Sequence, residues 1–80
     1  MSQELPTLPN EIFELIIKAD EKLKYATAAQ GETRVRQARE LLERARDAAR
    51  AIGNDALVGQ AETRLVDLDA AKSEDSDGDG

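Results

Sequence analysis

The chain has no cysteine, no histidine and no tryptophan, and it has one phenylalanine and one tyrosine among 80 residues. Without cysteine, disulfides, thiolate chemistry and zinc–cysteine sites are excluded, and the composition fits a cytoplasmic protein. Without histidine, the usual acid–base group near neutral pH is missing. No apolar run approaches the ~20 residues of a membrane-spanning helix. The opening stretch MSQELPTLPN has neither the basic nor the apolar region of a signal peptide. Neither a Gly-rich phosphate loop nor an HExxH pattern occurs. Asp67 and Asp69 are offset by two positions, so on a helix they face different ways and make a poor catalytic pair. A helical domain of this size is also expected to offer little room for a substrate pocket. These absences predict a protein that is not an enzyme and takes no cofactor.

Large apolar side chains are scarce as well. Hydrophobic residues make up 40% of the chain, but thirteen of them are alanine. The core is therefore expected to be thin, which favours oligomerisation or docking on a larger body. Net charge is −6, distributed as −2 over residues 1–30, +2 over 31–53, −2 over 54–72 and −4 over 73–80. An acidic chain without a basic cluster is a poor ligand for phosphates, so no nucleic-acid partner is expected.

What is present is helical periodicity. Residues 1–9 hold both prolines and read as a flexible N-terminal segment. Ile12, Leu15, Ile16, Ala19, Leu23 and Ala26 then recur at three- and four-residue steps, predicting a helix over about 10–28. Val35, Ala38, Leu42, Ala45, Ala49 and Ile52 form an a/d seam, widened by Leu41 and Ala48, over about 32–52. Leu57, Val58, Ala61, Leu65 and Leu68 mark a third helix over about 55–71. Gly53 suits the left-handed position after a helix and Asn54 suits an N-cap. Gly59, inside the third helix, is expected to mark a close helix contact. The short connections predict antiparallel neighbours. The expected fold is all-α, a three-helix domain over 10–72 followed by a disordered acidic tail over 73–80.

Residues 38–55, ARELLERARDAARAIGND, resemble the second helix of a tetratricopeptide repeat and the turn after it. Ala38, Leu42 and Ala45 match the family's small–bulky–small spacing, and Ala49 and Ile52-Gly53-Asn54 match the longer-period variety of the repeat. AAQGE at 28–32 resembles the turn between the repeat's helices, and AETRL at 61–65 the first helix of a following repeat. The first helix departs from the family: KLKYATAA at 22–29 lacks clear counterparts of its bulky aromatic and its glycine, and Gly31 lies about two residues too far from Ala38. The resemblance covers about one and a half repeats within residues 12–70. The layout is also similar to three-helix domains of the microtubule-interacting-and-trafficking type.

Three features are candidate sites. Asp75, Asp77, Asp79 and Gly80 follow the first half of an EF-hand loop, but no position-seven carbonyl or position-twelve glutamate follows in this sequence, so a solvated tail is expected and no metal site. Arg39, Arg46 and Arg50 share a flank of helix two with Glu43. The resemblance implies that such cations hold a partner's acidic or C-terminal group. The plainer expectation is a solvated face laced with local pairs: Glu32–Arg36, Glu40–Arg44, Glu43–Arg46 and Asp47–Arg50. Phe13 and Ile17 fall beside the apolar stripe of helix one, either packing as part of a wide stripe or forming an exposed patch for a partner or a second copy. The sequence therefore predicts a small protein–protein interaction module, an adaptor or regulatory subunit. The alternatives are a self-associating homodimer and an acidic-tail partner of a basic protein.

Overall fold

The computed structural model describes residues 6–24 and 31–79, with side chains described as far as Asp69. Among the described residues there are three α-helices: α1 (Pro9–Lys24), α2 (Gly31–Ala51) and α3 (Asp55–Asp79). The all-α, three-helix expectation is met.

Each boundary has a local cause. Pro9 occupies the first turn of α1, where a missing N–H is harmless, and Ile12 N donates to Leu8 O at 3.0 Å to start the ladder. Glu11 sits in the first turn of α1, with Lys22 and Lys24 in its last. Glu32 and Arg50 play the same parts in α2. Both helices thus match the sign of their macrodipole ends. The turn from α2 to α3 is a Schellman closure. Gly53 takes a φ of +72°, its N–H reaches Arg50 O at 3.0 Å, and Asn54 N reaches Ala49 O at 2.8 Å. Asn54 also opens the next helix: its Oδ1 accepts from Leu57 N at 3.1 Å and its carbonyl from Val58 N at 3.1 Å. One residue therefore closes α2 and caps α3.

The core lies along α2. Ile12, Ile16 and Ala19 of α1, Ala38, Leu42, Ala45, Ala48 and Ala49 of α2, and Leu57, Ala61 and Leu65 of α3 are buried together. Leu15, Leu23, Leu41, Ile52, Val58 and Leu68 pack against them. Four of the five buried α2 side chains are alanine, and that choice lets both neighbours come close to its axis. A buried isoleucine or leucine contributes about 1.5–3 kcal/mol, against about 0.8 for a single methyl-sized group. The stabilising weight therefore rests on Ile12, Ile16, Leu42, Leu57 and Leu65.

α2 packs along both other helices, whereas α1 and α3 meet only sparingly. Lys18 and Lys22, in the second half of α1, border the same groove as Arg34 near the start of α2 and Leu41 at its centre, so α1 and α2 run antiparallel. Pairing of Arg39 with Asp69 and of Arg50 with Glu62 gives the same sense to α2 and α3.

Two expectations are revised. A Cβ built on Gly59 meets nothing within 4 Å, so this glycine marks no close helix contact. The helical backbone of α3 continues to Asp79, past the end expected near Ala71. The segment SEDSDGDG contains no apolar side chain. The tail aspartates lie where side chains are outside the described residues, and positions 25–28 of the expected first helix lie outside the described residues altogether.

Candidate functional site

Phe13 and Ile17 lie one turn apart on α1, and the structure leaves them 42% and 41% exposed. The cause is their angular position. Ile12, Ile16 and Ala19 point into the core and are fully buried. At about 100° per residue, Phe13 and Ile17 are rotated off that line toward the flank that also carries Asp20. Asp20 reaches α3: Arg64 Nε donates to its two carboxylate oxygens at 3.0 and 3.2 Å. Because α1 and α3 touch so little, the rest of this flank stays uncovered. The sequence leaves open a wide packed stripe or an exposed patch, and the exposure of both side chains favours the patch. Leu8 at 52% and Val66 at 63% are also exposed large hydrophobics, which helical periodicity does not single out.

The arginines of α2 have a different fate. Arg39 Nη2 lies 2.8 Å from Asp69 Oδ1, and Arg50 Nη2 lies 2.9 Å from Glu62 Oε2. Arg46 Nε pairs with its neighbour Asp47 at 3.2 Å. Arg46 and Arg50 thus take partners other than the expected Glu43 and Asp47. The physical reason for Arg39 and Arg50 is tertiary: antiparallel docking brings the carboxylates of α3 beside this flank, so two of the three cations cross to the neighbouring helix. Glu62 and Asp69 are seven residues apart and share one side of α3, a spacing that could have signalled an acidic strip facing α2. Asp20 and Arg64 carry no comparable signal, because nothing in the sequence relates positions 44 residues apart.

Between α1 and α2 runs an open groove of about 420 Å³ lined by Lys18, Glu21, Lys22, Arg34 and Leu41. A smaller depression of about 210 Å³ adjoins it, sharing Lys22 and Leu41 and adding Gln37, Glu40 and Arg44. The groove is larger than expected for so small a domain. It is a surface furrow with charges of both signs, not an enclosed chamber.

Among the described residues no polar or charged side chain is buried, and no group of three or more acidic, histidine or cysteine side chains is placed to hold a metal ion. No helix of the described residues is long and apolar enough to cross a membrane. Comparison with known proteins matched this chain to no family model, no curated protein and no solved structure.

Proposed function

We propose that this chain is a small non-enzymatic protein–protein interaction module, an adaptor or regulatory subunit, and that its contact surface is the Phe13–Ile17 flank of α1. The observation that carries this reading is the half-exposure of two large apolar side chains one turn apart, on a helix whose core positions are fully buried. Contact with a partner removes such surface from water at about 25 cal/mol per Å². Aromatic side chains are favoured as anchors at interface centres.

The arginine flank is the weaker candidate, because Arg39 and Arg50 already hold carboxylates of α3. The tetratricopeptide-like reading of the α1–α2 hairpin rests on its alanine–leucine seam and on the Gly53-Asn54 turn. A cytoplasmic setting rests on the cysteine-free composition.

Phe13→Asp and Ile17→Asp test the proposal by affinity capture from native lysate, with helicity checked by circular dichroism. Both variants are expected to keep the fold and to capture no partner. Capture that survives both changes removes this face as the contact. A second reading shares the observation: the same flank pairs with a second copy. Light scattering then shows a concentration-dependent dimer that Ile17→Asp converts to monomer.

A further inference from the structure

We infer that the Phe13–Ile17 flank takes a basic amphipathic helix, a partner segment with apolar side chains at helical spacing bordered by lysine or arginine. The inference rests on the reading of that flank as the contact surface and adds the chemistry of what covers it.

The form of the flank selects a helix. Phe13 and Ile17 stand one turn apart on a continuous α-helix, so the backbone beneath them is already engaged in its own ladder. The flank therefore offers side chains and no free amides or carbonyls. An extended segment laid on it would leave its own amides unmatched wherever the contact excludes water. A helix satisfies its backbone internally and can set a stripe of apolar side chains against Phe13 and Ile17.

Charge selects a basic one. On a helix, the surface neighbours of a side chain lie three and four positions away. Around Phe13 and Ile17 the charged residues at those positions are Glu14, Asp20 and Glu21, all exposed, and none is a cation. Lys18 is rotated about 100° from Ile17 and, with Lys22, lines the groove toward α2. Glu21 stands on the crest between flank and groove and borders both. Arg64, which reaches this side from α3, is engaged by Asp20 at 3.0 Å. Lys24 lies at the far end of α1 and holds contacts of its own. Glu14 and Glu21 enter none of the ion pairs among the described residues. The net charge of −6 adds a field of the same sign, which draws a cationic partner in. A second copy fares worse here. An isologous contact through this flank sets Glu14, Asp20 and Glu21 against the same carboxylates of the other chain.

The probe is a synthetic peptide of about 18 residues, leucines along one helical face and lysines elsewhere, titrated against the full chain by calorimetry. A matched peptide carries glutamate in place of lysine. The lysine peptide is expected to bind at least about ten-fold more tightly than the glutamate peptide. Ile17→Asp is expected to weaken it about ten-fold or more, although the added negative charge would favour a merely diffuse attraction. If Ile17→Asp fails to fold, Phe13→Ala takes its place. Glu14→Gln with Glu21→Gln is expected to weaken binding roughly three- to ten-fold. Glu40→Gln with Glu43→Gln, an equal charge change on α2, is expected to alter it less than about two-fold. Equal losses in the two double variants, or equal binding of the two peptides, overturn the inference. If Ile17→Asp abolishes binding while Glu14→Gln with Glu21→Gln changes nothing, the contact surface stands and the basic partner falls. Binding that ignores Ile17→Asp removes both.

Discussion

The two seams of α2 are built differently. Toward α1 the contact is made by Ile12 and Ile16, fully sealed, with Leu15 and Leu23 beside them. Toward α3 it is made by Leu57, Ala61 and Leu65, with ion pairs along its edges. The first seam carries the fully sealed apolar contact, and the hydrophobic effect behind it is not weakened by salt. The second has two ion pairs at its surface edge, each worth little and each screened. One helix thus holds two neighbours through apolar contacts sealed to different degrees, and the alanines of α2 allow both to come close. Exposure follows from the same asymmetry: the flank of α1 that meets neither seam is the one that presents Phe13 and Ile17.

The largest expected effect tests the sealed seam. Ile16→Ala is expected to lose about 2–5 kcal/mol in urea unfolding followed by circular dichroism. Leu65→Ala, on the other seam, is expected to fall at the low end of that range, because its site is already open at one edge. Equal losses would make the two seams equivalent and remove the contrast.

The turn between the seams comes next. Gly53→Ala places a Cβ at φ +72° and is expected to destabilise by about 1–2 kcal/mol through backbone strain alone, since that Cβ meets no neighbour within 4 Å. A thermal midpoint unchanged from the parent chain would mean that the turn can adopt another conformation. Gly59→Ala acts in the opposite direction. The site is helical and open, so the substitution is expected to stabilise by about 0.8–1 kcal/mol. A loss there would reveal a contact that α3 makes outside the described residues.

Smaller still is Arg64→Gln, which removes the bridge to Asp20. About 0.2–1 kcal/mol is expected at low salt, shrinking toward zero at high salt. A deficit that persists at high salt would assign Arg64 a packing role. Phe13→Ala is expected to change stability by less than about 0.5 kcal/mol, as befits an exposed position. A loss of about 2 kcal/mol or more in the same urea experiment would place Phe13 in the core and weaken its candidacy as a contact residue.

How legible is this in the sequence? The buried positions are readable almost one for one. Periods of three and four residues select Ile12, Ile16, Ala19, Ala38, Leu42, Ala45, Ala49, Leu57, Ala61 and Leu65, because a helix that buries one face must repeat with its own pitch. Gly53-Asn54 is readable for a local reason too, since one residue tolerates positive φ and the other carries a capping oxygen. Gly59 misleads because a helix-interior glycine has more than one cause, and its surroundings belong to other parts of the chain.

Local chemistry alone determined three helices, their apolar faces and the turn that joins the second to the third. These follow from side-chain spacing and from the conformational limits of single residues, which act within a few positions of one another. Tertiary structure decided which charges meet and which apolar groups stay exposed. Arg50 takes Glu62 rather than Asp47, and Arg64 takes Asp20, because docking brings distant helices within reach of long side chains. Phe13 and Ile17 remain half-exposed because α1 and α3 scarcely touch, a consequence of how both pack on α2 that neither segment encodes by itself.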